Sequence, residues 1–215
     1  MSYETSTQLE RTNIELDIRT AKEIRIWQAF ARIIFTLPWL LFVNKTAIQL
    51  KRKDFRPGIR YVIASNHQSH WDAFMLFIAL YRSETHRMLP FRAITSNHFF
   101  KNPVTCFLAL NVGCFPAKAN AELPYGIPFS IFALNQNHTV YICPEGGLGG
   151  RGERDIRPGV AVLAHEPNVM VVPAHIEWRR GWPWRTFKLG IGKPFDASAM
   201  SAEEIMDRVY AQPVD

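Results

Sequence analysis

Polar side chains are concentrated in residues 65–72, between a predicted buried strand and a predicted helix. His67 and Asp72 in this segment are five residues apart, which exceeds one helical turn of about 3.6 residues but suits a tight loop. Such a loop folds the carboxylate back toward the imidazole, holds one ring nitrogen and leaves the other free to accept a proton. His67 is therefore a candidate general base for an alcohol, oriented by Asp72. The alternative is that Asp72 caps the helix and His67 bonds to the loop backbone.

The same segment also permits a metal site. His67, His70 and Asp72 place three potential ligands within six residues, and His175 and Glu177 add two more. The spacing differs from H-E-x-x-H, and a hydrolytic metal site needs a defined set of three ligands with an open position. The three cysteines lack C-x-x-C spacing, which argues against a Cys-rich zinc site and a disulfide framework. We expect no metal, and a metal-dependent hydrolase that uses His67, His70 and Asp72 stays an alternative.

Short apolar strands alternate with helices of modest length along most of the chain. The predicted strands lie at 47–50, 60–65, 91–95, 112–115, 139–143, 169–176 and 186–191, and the predicted helices at 72–81, 103–110, 125–134, 158–165 and 202–210. This alternation predicts an α/β fold with a mostly parallel or mixed central sheet flanked by helices. Such sheets place ligand sites in the loops beyond the carboxyl ends of their strands.

The excess of positive charge lies near the start of the chain. The chain has a net charge of +6, and residues 1–60 hold 11 basic and 6 acidic side chains, whereas residues 61–215 hold 14 and 13. This basic segment adjoins an apolar one, which favours an anionic membrane surface as a partner over a nucleic-acid groove.

A helical pattern begins at Thr20, with basic residues near one face and apolar residues on another. The apolar stretch 27–43 contains Arg32 and is shorter than the ~20 apolar residues that a spanning helix needs. We therefore predict that residues 1–43 form an amphipathic helical segment associated with the membrane. Residues 44–215 form the α/β domain in this prediction, on the cytoplasmic face of the membrane.

Residues 178–185 combine three of the six tryptophans with three arginines, and we predict a loop here. A loop of this composition suits a membrane interface or an anionic acyl donor. Stacking on nucleic acid is the alternative. No nucleic-acid motif accompanies the loop, so we expect no nucleic-acid partner.

The pattern Asn66-His67-x-Ser69-x-x-Asp72 resembles the first signature of the glycerolipid acyltransferase family, which includes the bacterial lysophosphatidate acyltransferases. Three further blocks are similar to the family's other signatures and follow in its order. They are residues 112–118, the Cys-Pro-Glu-Gly of 143–146 with the Arg-Pro-Gly of 157–159 after it, and residues 171–176 with a central Pro. The resemblance covers roughly residues 40–195.

This resemblance implies transfer of an acyl group from acyl-CoA or acyl-carrier protein to a hydroxyl of a lysophospholipid or a related glycerolipid. His67 and Asp72 become the catalytic pair, and the thioester is a co-substrate, so no cofactor is expected. The positions that match the family's blocks imply substrate binding by Asn66, Ser69, Lys118, Glu145, Gly146 and Arg157.

Two blocks depart from the family's pattern. Lys118 stands where the second block normally ends in Arg, and Gly147 and Leu148 stand where the third normally has Thr and Arg. Lys is a point charge, whereas Arg grips phosphate with two parallel hydrogen bonds. The departures leave open a non-catalytic lipid-binding protein on the same fold.

Overall fold

A seven-stranded sheet with helices on both faces forms the body of the protein. The computed structural model describes residues 21–41, 43–82, 88, 90–117, 126–149, 155–179 and 186–214. The strands are β1 Val43–Ile48, β2 Arg60–Ser65, β3 Phe91–Thr95, β4 Cys114–Pro116, β5 Thr139–Ile142, β6 Val169–Arg179 and β7 Thr186–Ile191. The α-helices are α1 Ala21–Leu41, α2 Asp72–Arg82, α3 Pro103–Asn111, α4 Ile127–Asn135, α5 Gly159–Ala164 and α6 Ala202–Tyr210, and Arg52–Asp54 and Asn97–Phe100 form 3₁₀ helices.

The strand order is β1-β7-β6-β2-β5-β3-β4. Strands β2 to β6 run parallel, β7 is antiparallel to β6, and β1 is parallel to β7. The predicted mixed α/β sheet flanked by helices is therefore confirmed. Because β2, β5 and β6 are neighbours that run in one direction, their carboxyl ends meet at one edge of the sheet, where ligand sites of such folds form.

Alternating strand residues divide the core between the two faces of the sheet. In β6, Val172 and Ile176 pack on the face covered by α2, whereas Val171 packs on the face covered by α4, α5 and α6. This two-residue period follows from the pleat of the strand. The side chains of Ile63 in β2 and Tyr141 in β5 also lie on the face covered by α2. Because side chains alternate between the two faces along a strand, the side chains two residues further on point toward α2 as well.

A buried polar side chain of helix α1 forms hydrogen bonds with the backbone at the edge of the sheet. Gln28 Nε2 donates to the carbonyls of Phe91, at 2.6 Å, and Val112, at 2.9 Å. Gly113 permits this approach, because its φ is +93° and a Cβ there would lie 2.6 Å from the Phe91 oxygen. Within the part of the chain that the structure describes, no helix combines the length and apolarity needed to cross a membrane.

Candidate active site

The loop between β2 and α2 brings His67 and Asp72 together. Strand β2 ends at Ser65 and α2 begins at Asp72, and the loop folds so that His67 Nδ1 lies 3.0 Å from Asp72 Oδ2. One quarter of the His67 side chain is exposed, whereas Asp72 is fully buried. An imidazole held through Nδ1 by a buried carboxylate presents its Nε2 side as the proton acceptor.

The Asp72 carboxylate accepts three further hydrogen bonds. The backbone N–H groups of Gln68 and Ser69 donate to Oδ2 at 2.7 and 2.9 Å, and Trp178 Nε1 donates to Oδ1 at 2.7 Å. Gln68 also accepts a bond from the Trp178 backbone N–H through Oε1, at 2.9 Å. These donors offset the cost of burying the charge and fix the carboxylate against the imidazole.

The segment after β5 fixes the backbone of His67. Glu145 Oε2 accepts from the His67 N–H at 2.8 Å, and the Gly149 N–H donates to the His67 carbonyl at 2.9 Å. Glu145 is itself buried, and its Oε1 accepts a hydrogen bond from the Tyr210 hydroxyl of α6. Helix α6 and the third block thus position the backbone that carries the imidazole.

His67 has a strongly raised pKa. Burial alone lowers the pKa of the imidazole, but the hydrogen bond to Asp72 and the adjacent Cys143 together outweigh burial and raise the pKa to about 10. These surroundings stabilise the imidazolium that forms when His67 takes a proton, and the neutral ring that can act as a base becomes populated as the pH approaches about 10.

The other predicted binding residues of the loop are engaged within the protein. Both polar atoms of the buried Asn66 amide bond to the backbone of Ile176, each at 2.8 Å, and tie the end of β2 to β6. The Ser69 hydroxyl accepts from the Trp71 N–H at 3.3 Å. Substrate binding by Asn66 and Ser69 stays a prediction, to which the structure adds these positioning roles.

Glu145, Gly146 and Arg157 lie together on the third block. Gly146 has a φ of +63°, and a Cβ there would lie 2.3 Å from Arg157 Nε, so the exposed Arg157 side chain packs directly over the glycine. The Arg157 N–H also donates to the Pro144 carbonyl at 2.9 Å. Lys118 lies outside the described residues.

A family model described as Acyltransferase matches residues 47–177 of the 215. The chain belongs to the acyltransferase family. A solved structure, the 1-acyl-sn-glycerophosphate acyltransferase PlsC from Thermotoga maritima, matches with a TM-score of 0.58 at 16% identity, over 89% of this chain and 81% of that one. At this identity the likeness shows a shared fold. No curated protein sequence matches the chain.

The alternative metal site finds no support in the geometry of this acyltransferase. Among the described residues, no group of three His, Cys, Asp or Glu side chains could hold a metal ion. The exposed His70 ring packs against Phe99, with the ring centroids 6.1 Å apart, and His175 packs against Tyr210 at 5.5 Å. His70 and His175 therefore do not form a set of metal ligands with His67.

Sequence reasoning missed several residues that build the acyltransferase site. Trp178, predicted to lie in an interfacial loop, belongs to β6 and binds Asp72; residues 180–185 of the predicted loop lie outside the described residues. Tyr210 is more than 60 positions from Glu145 in the sequence, so no local pattern could reveal their contact. Cys143 did carry a signal, because it is the last residue of the predicted strand 139–143, and ligand sites lie beyond the carboxyl ends of such strands.

Proposed function

We propose that this acyltransferase moves an acyl group from an acyl thioester to a hydroxyl of a lysophospholipid or a related glycerolipid, with His67 as general base and Asp72 as its orienting acid. One observation carries the proposal: a partly exposed imidazole, bonded through Nδ1 to a buried carboxylate, lies at the carboxyl edge of the sheet. The family membership of the chain supports the reaction type.

The reaction begins with a base-assisted attack. His67 takes the proton of the acceptor hydroxyl as its oxygen bonds to the thioester carbonyl carbon, and Asp72 stabilises the resulting imidazolium. The carbon–sulfur bond of the thioester then breaks, and the thiol leaves with the proton from His67. Base catalysis of this kind contributes ~10²–10⁴-fold.

The acceptor in this proposal carries a phosphate. Arg157 is an exposed cation packed over Gly146, the residue next to the Glu145 that holds the His67 backbone. An exposed cation packed on the segment that holds the His67 backbone suits an anionic headgroup whose hydroxyl reaches the imidazole. The PlsC match, described as an acyltransferase for 1-acyl-sn-glycerophosphate, supports the same substrate class. Lys118 is proposed as a second phosphate contact, and the donor as acyl-CoA or acyl-carrier protein.

We also propose that helices α1 and α3 dock the enzyme on an anionic membrane. The exposed side chains of α1 at positions i, i+4, i+7 and i+8 are large and apolar, and so are those of α3 at i, i+3 and i+4. We call these residues the apolar face: Ile26, Phe30, Ile33, Ile34, Val104, Phe107 and Leu108. Edge-to-face contact between Trp27 and Phe107, at 5.7 Å, holds the two helices side by side.

The surroundings of the apolar face favour a membrane as its occupant. Exposed basic side chains flank it at Lys22, Arg25, Arg32 and Lys101, which suits anionic headgroups. The contact of His70 with Phe99 links the catalytic loop, residues 66–72, to the 3₁₀ helix that precedes α3. Docking through this face would bring the loop to the surface that holds both the lipid acceptor and the product.

A transfer assay tests the proposed reaction. Purified enzyme is given a radiolabelled acyl-CoA and, in separate reactions, lysophosphatidate, glycerol 3-phosphate, a neutral monoacylglycerol or a hydroxylated glycolipid. We expect labelled diacyl product from the phosphorylated lysolipid, a loss of ~10²–10⁴-fold in the His67→Ala variant, and no loss in a His165→Ala control, at an exposed histidine that follows α5. Comparable turnover by His67→Ala would contradict the role of His67, and transfer to none of the acceptors would contradict the proposed function.

A further inference from the structure

A cavity of about 330 Å³ lies at the edge of the sheet opposite to the catalytic loop. Arg60, Tyr61 and Thr139, at the starts of β2 and β5, line it together with residues of the segment that leads into β2. The catalytic loop follows the other end of β2. Because a strand rises ~3.3 Å per residue, the six residues of β2 separate the cavity from the loop by roughly 17 Å. The cavity is therefore distinct from the candidate active site.

Two buried side chains that line this cavity carry hydrogen-bond donors. His138 and Thr139 are only 6% and 5% exposed. His138 Nδ1 accepts from Arg92 Nε at 3.1 Å, and burial, together with the charges of Arg92 and Arg25, lowers the pKa of His138 to about 4. The neutral ring therefore carries its proton on Nε2. Within the described part of the chain, neither this N–H nor the Thr139 hydroxyl has a hydrogen-bond partner. Since nearly all buried polar groups are paired, the two donors indicate a ligand that accepts hydrogen bonds.

Two arginines that line the cavity give it a positive charge. Arg56 is exposed, and its guanidinium forms no ion pair with any described carboxylate. Arg60 donates through Nη1 to Asn135 Oδ1 and through Nη2 to the Pro167 carbonyl, so uncharged acceptors hold the side chain in place without neutralising it. The carboxylate of Asp54 accepts a backbone N–H of its own turn and does not line the cavity. The charge of the site therefore favours an anion.

We propose that this cavity is a second binding site, which takes the phosphate group of a small phosphate monoester or of a lipid headgroup. A phosphate monoester offers several strong acceptor oxygens and about two negative charges, which suits two neutral donors and two guanidinium groups. The rings of Phe55 and Tyr61, with centroids 5.2 Å apart, form an apolar wall for the carbon part of the ligand. The proposal does not rest on acyl transfer, because the cavity lies at the other end of β2 from His67.

NMR titration of the full-length protein with inorganic phosphate locates the binding. The histidine rings and the backbone amides are labelled, and His138→Gln assigns the ring signals of His138. We expect saturable shifts of the His138 ring and of the Thr139 amide, from which the dissociation constant is obtained. The His67→Ala variant should give the same titration of His138, because the active site is not part of this cavity.

Three variants test the cations and the buried donors separately. Arg56→Ala should weaken phosphate binding roughly tenfold or more, since it removes a hydrogen bond between charged groups. Lys53→Ala is the matched control, because it removes an exposed cation of the neighbouring 3₁₀ helix that does not line the cavity. Thr139→Val keeps the size of the buried side chain and removes its hydroxyl. It should bind phosphate roughly tenfold more weakly and yet unfold at the same temperature as wild type or a higher one, because no hydrogen bond within the protein is lost.

Two further probes distinguish the sources of the phosphate. Glycerol 3-phosphate represents a soluble monoester, and vesicles of phosphatidylcholine with phosphatidate represent a headgroup. Shifts of His138 that depend on Arg56 with either probe support the site and identify its source. A His138 ring that responds to none of the three probes overturns the proposal. So does an equal loss of affinity in Arg56→Ala and Lys53→Ala, which would show attraction to the general positive charge. Each of these results leaves the proposed acyl transfer standing, because none of them measures it.

Discussion

The catalytic loop, residues 66–72, and the apolar face differ in what their side chains contact. Those of the loop bond within the protein, whereas those of the face are exposed to water. In the loop, the Asn66 amide, the His67 imidazole and the Asp72 carboxylate all bond within the protein. On the apolar face, side chains as large as Phe30 and Phe107 are half exposed to water. The loop is therefore organised before any substrate arrives. The face gains stability only when another apolar phase covers it.

Replacing Asp72 by Asn should lower the rate of catalysis more than any other change considered for the loop. An amide keeps the shape of the carboxylate but cannot hold the same imidazole tautomer or stabilise its cation. We expect Asp72→Asn to lower kcat by about 10³–10⁴-fold and to leave vesicle binding unchanged. Steady-state transfer assays and vesicle sedimentation on the same preparations measure the two effects. A kcat within tenfold of wild type would show that the carboxylate does not act through His67.

The loop and the face also differ in how well the sequence predicted them. Strands β2, β3 and β7 and helix α6 have the predicted bounds, because each apolar run is closed by polar or turn-forming residues. The His67–Asp72 contact was predictable because both residues belong to one short loop. The bond from Trp178 to Asp72 was not, because it joins positions 106 residues apart and depends on strand order.

The apolar face was only half predictable. The helical pattern of residues 20–43 predicted a membrane helix, but it did not separate the apolar residues that pack inward, such as Ile24 and Ala31, from exposed ones such as Ile34. The contribution of α3 was missed, because Val104, Phe107 and Leu108 look like ordinary core residues until packing shows them at the surface. The predicted division into residues 1–43 and 44–215 stays a prediction.

Titration of His67 tests how strongly the loop stabilises the protonated imidazole. Because the interactions of His67 hold its pKa at about 10, well above the usual 6.5, the ring should stay protonated through the neutral range in the free enzyme. NMR titration of labelled histidine ring carbons measures this, with His67→Gln to assign the signal. In Cys143→Ala the pKa should fall, because Cys143 contributes to raising it.

The same pKa predicts how stability depends on pH. A raised pKa in the folded state means that folding binds the proton more tightly, so the stabilisation is complete below pH 6.5 and is lost as pH rises through about 10. The free energy of unfolding of wild type relative to His67→Gln should therefore decrease across this range. A His67 resonance that titrates near 6.5 would contradict both expectations.

Single negative charges on the apolar face should weaken the binding of the enzyme to membranes. Ile33 and Val104 are 67% and 66% exposed, and inserting either into the membrane interface would gain ~1.5–3 kcal/mol. We expect Ile33→Asp and Val104→Asp each to weaken binding to vesicles of anionic phospholipid by roughly tenfold or more. Val162→Asp is the matched control, because Val162 is 44% exposed on α5, which covers the other face of the sheet. Equal losses in all three variants would show that the effect is one of net charge, not of docking.

We expect the smallest effect at Trp178. The composition of the segment that contains it predicted a membrane loop, but Trp178 lies in the candidate active site. Trp178→Phe keeps an aromatic ring against Phe187, whose ring centroid is 4.9 Å away, and removes only the indole N–H that donates to Asp72 Oδ1. Asp72 keeps the two backbone donors from Gln68 and Ser69, so the carboxylate loosens without losing its position. We expect kcat to fall roughly tenfold, since a hydrogen bond to a charged group contributes about 1.5–3 kcal/mol. We expect KM and the affinity for anionic vesicles to be unchanged. If vesicle binding falls and kcat does not, Trp178 belongs with the membrane surface and not with the catalytic loop.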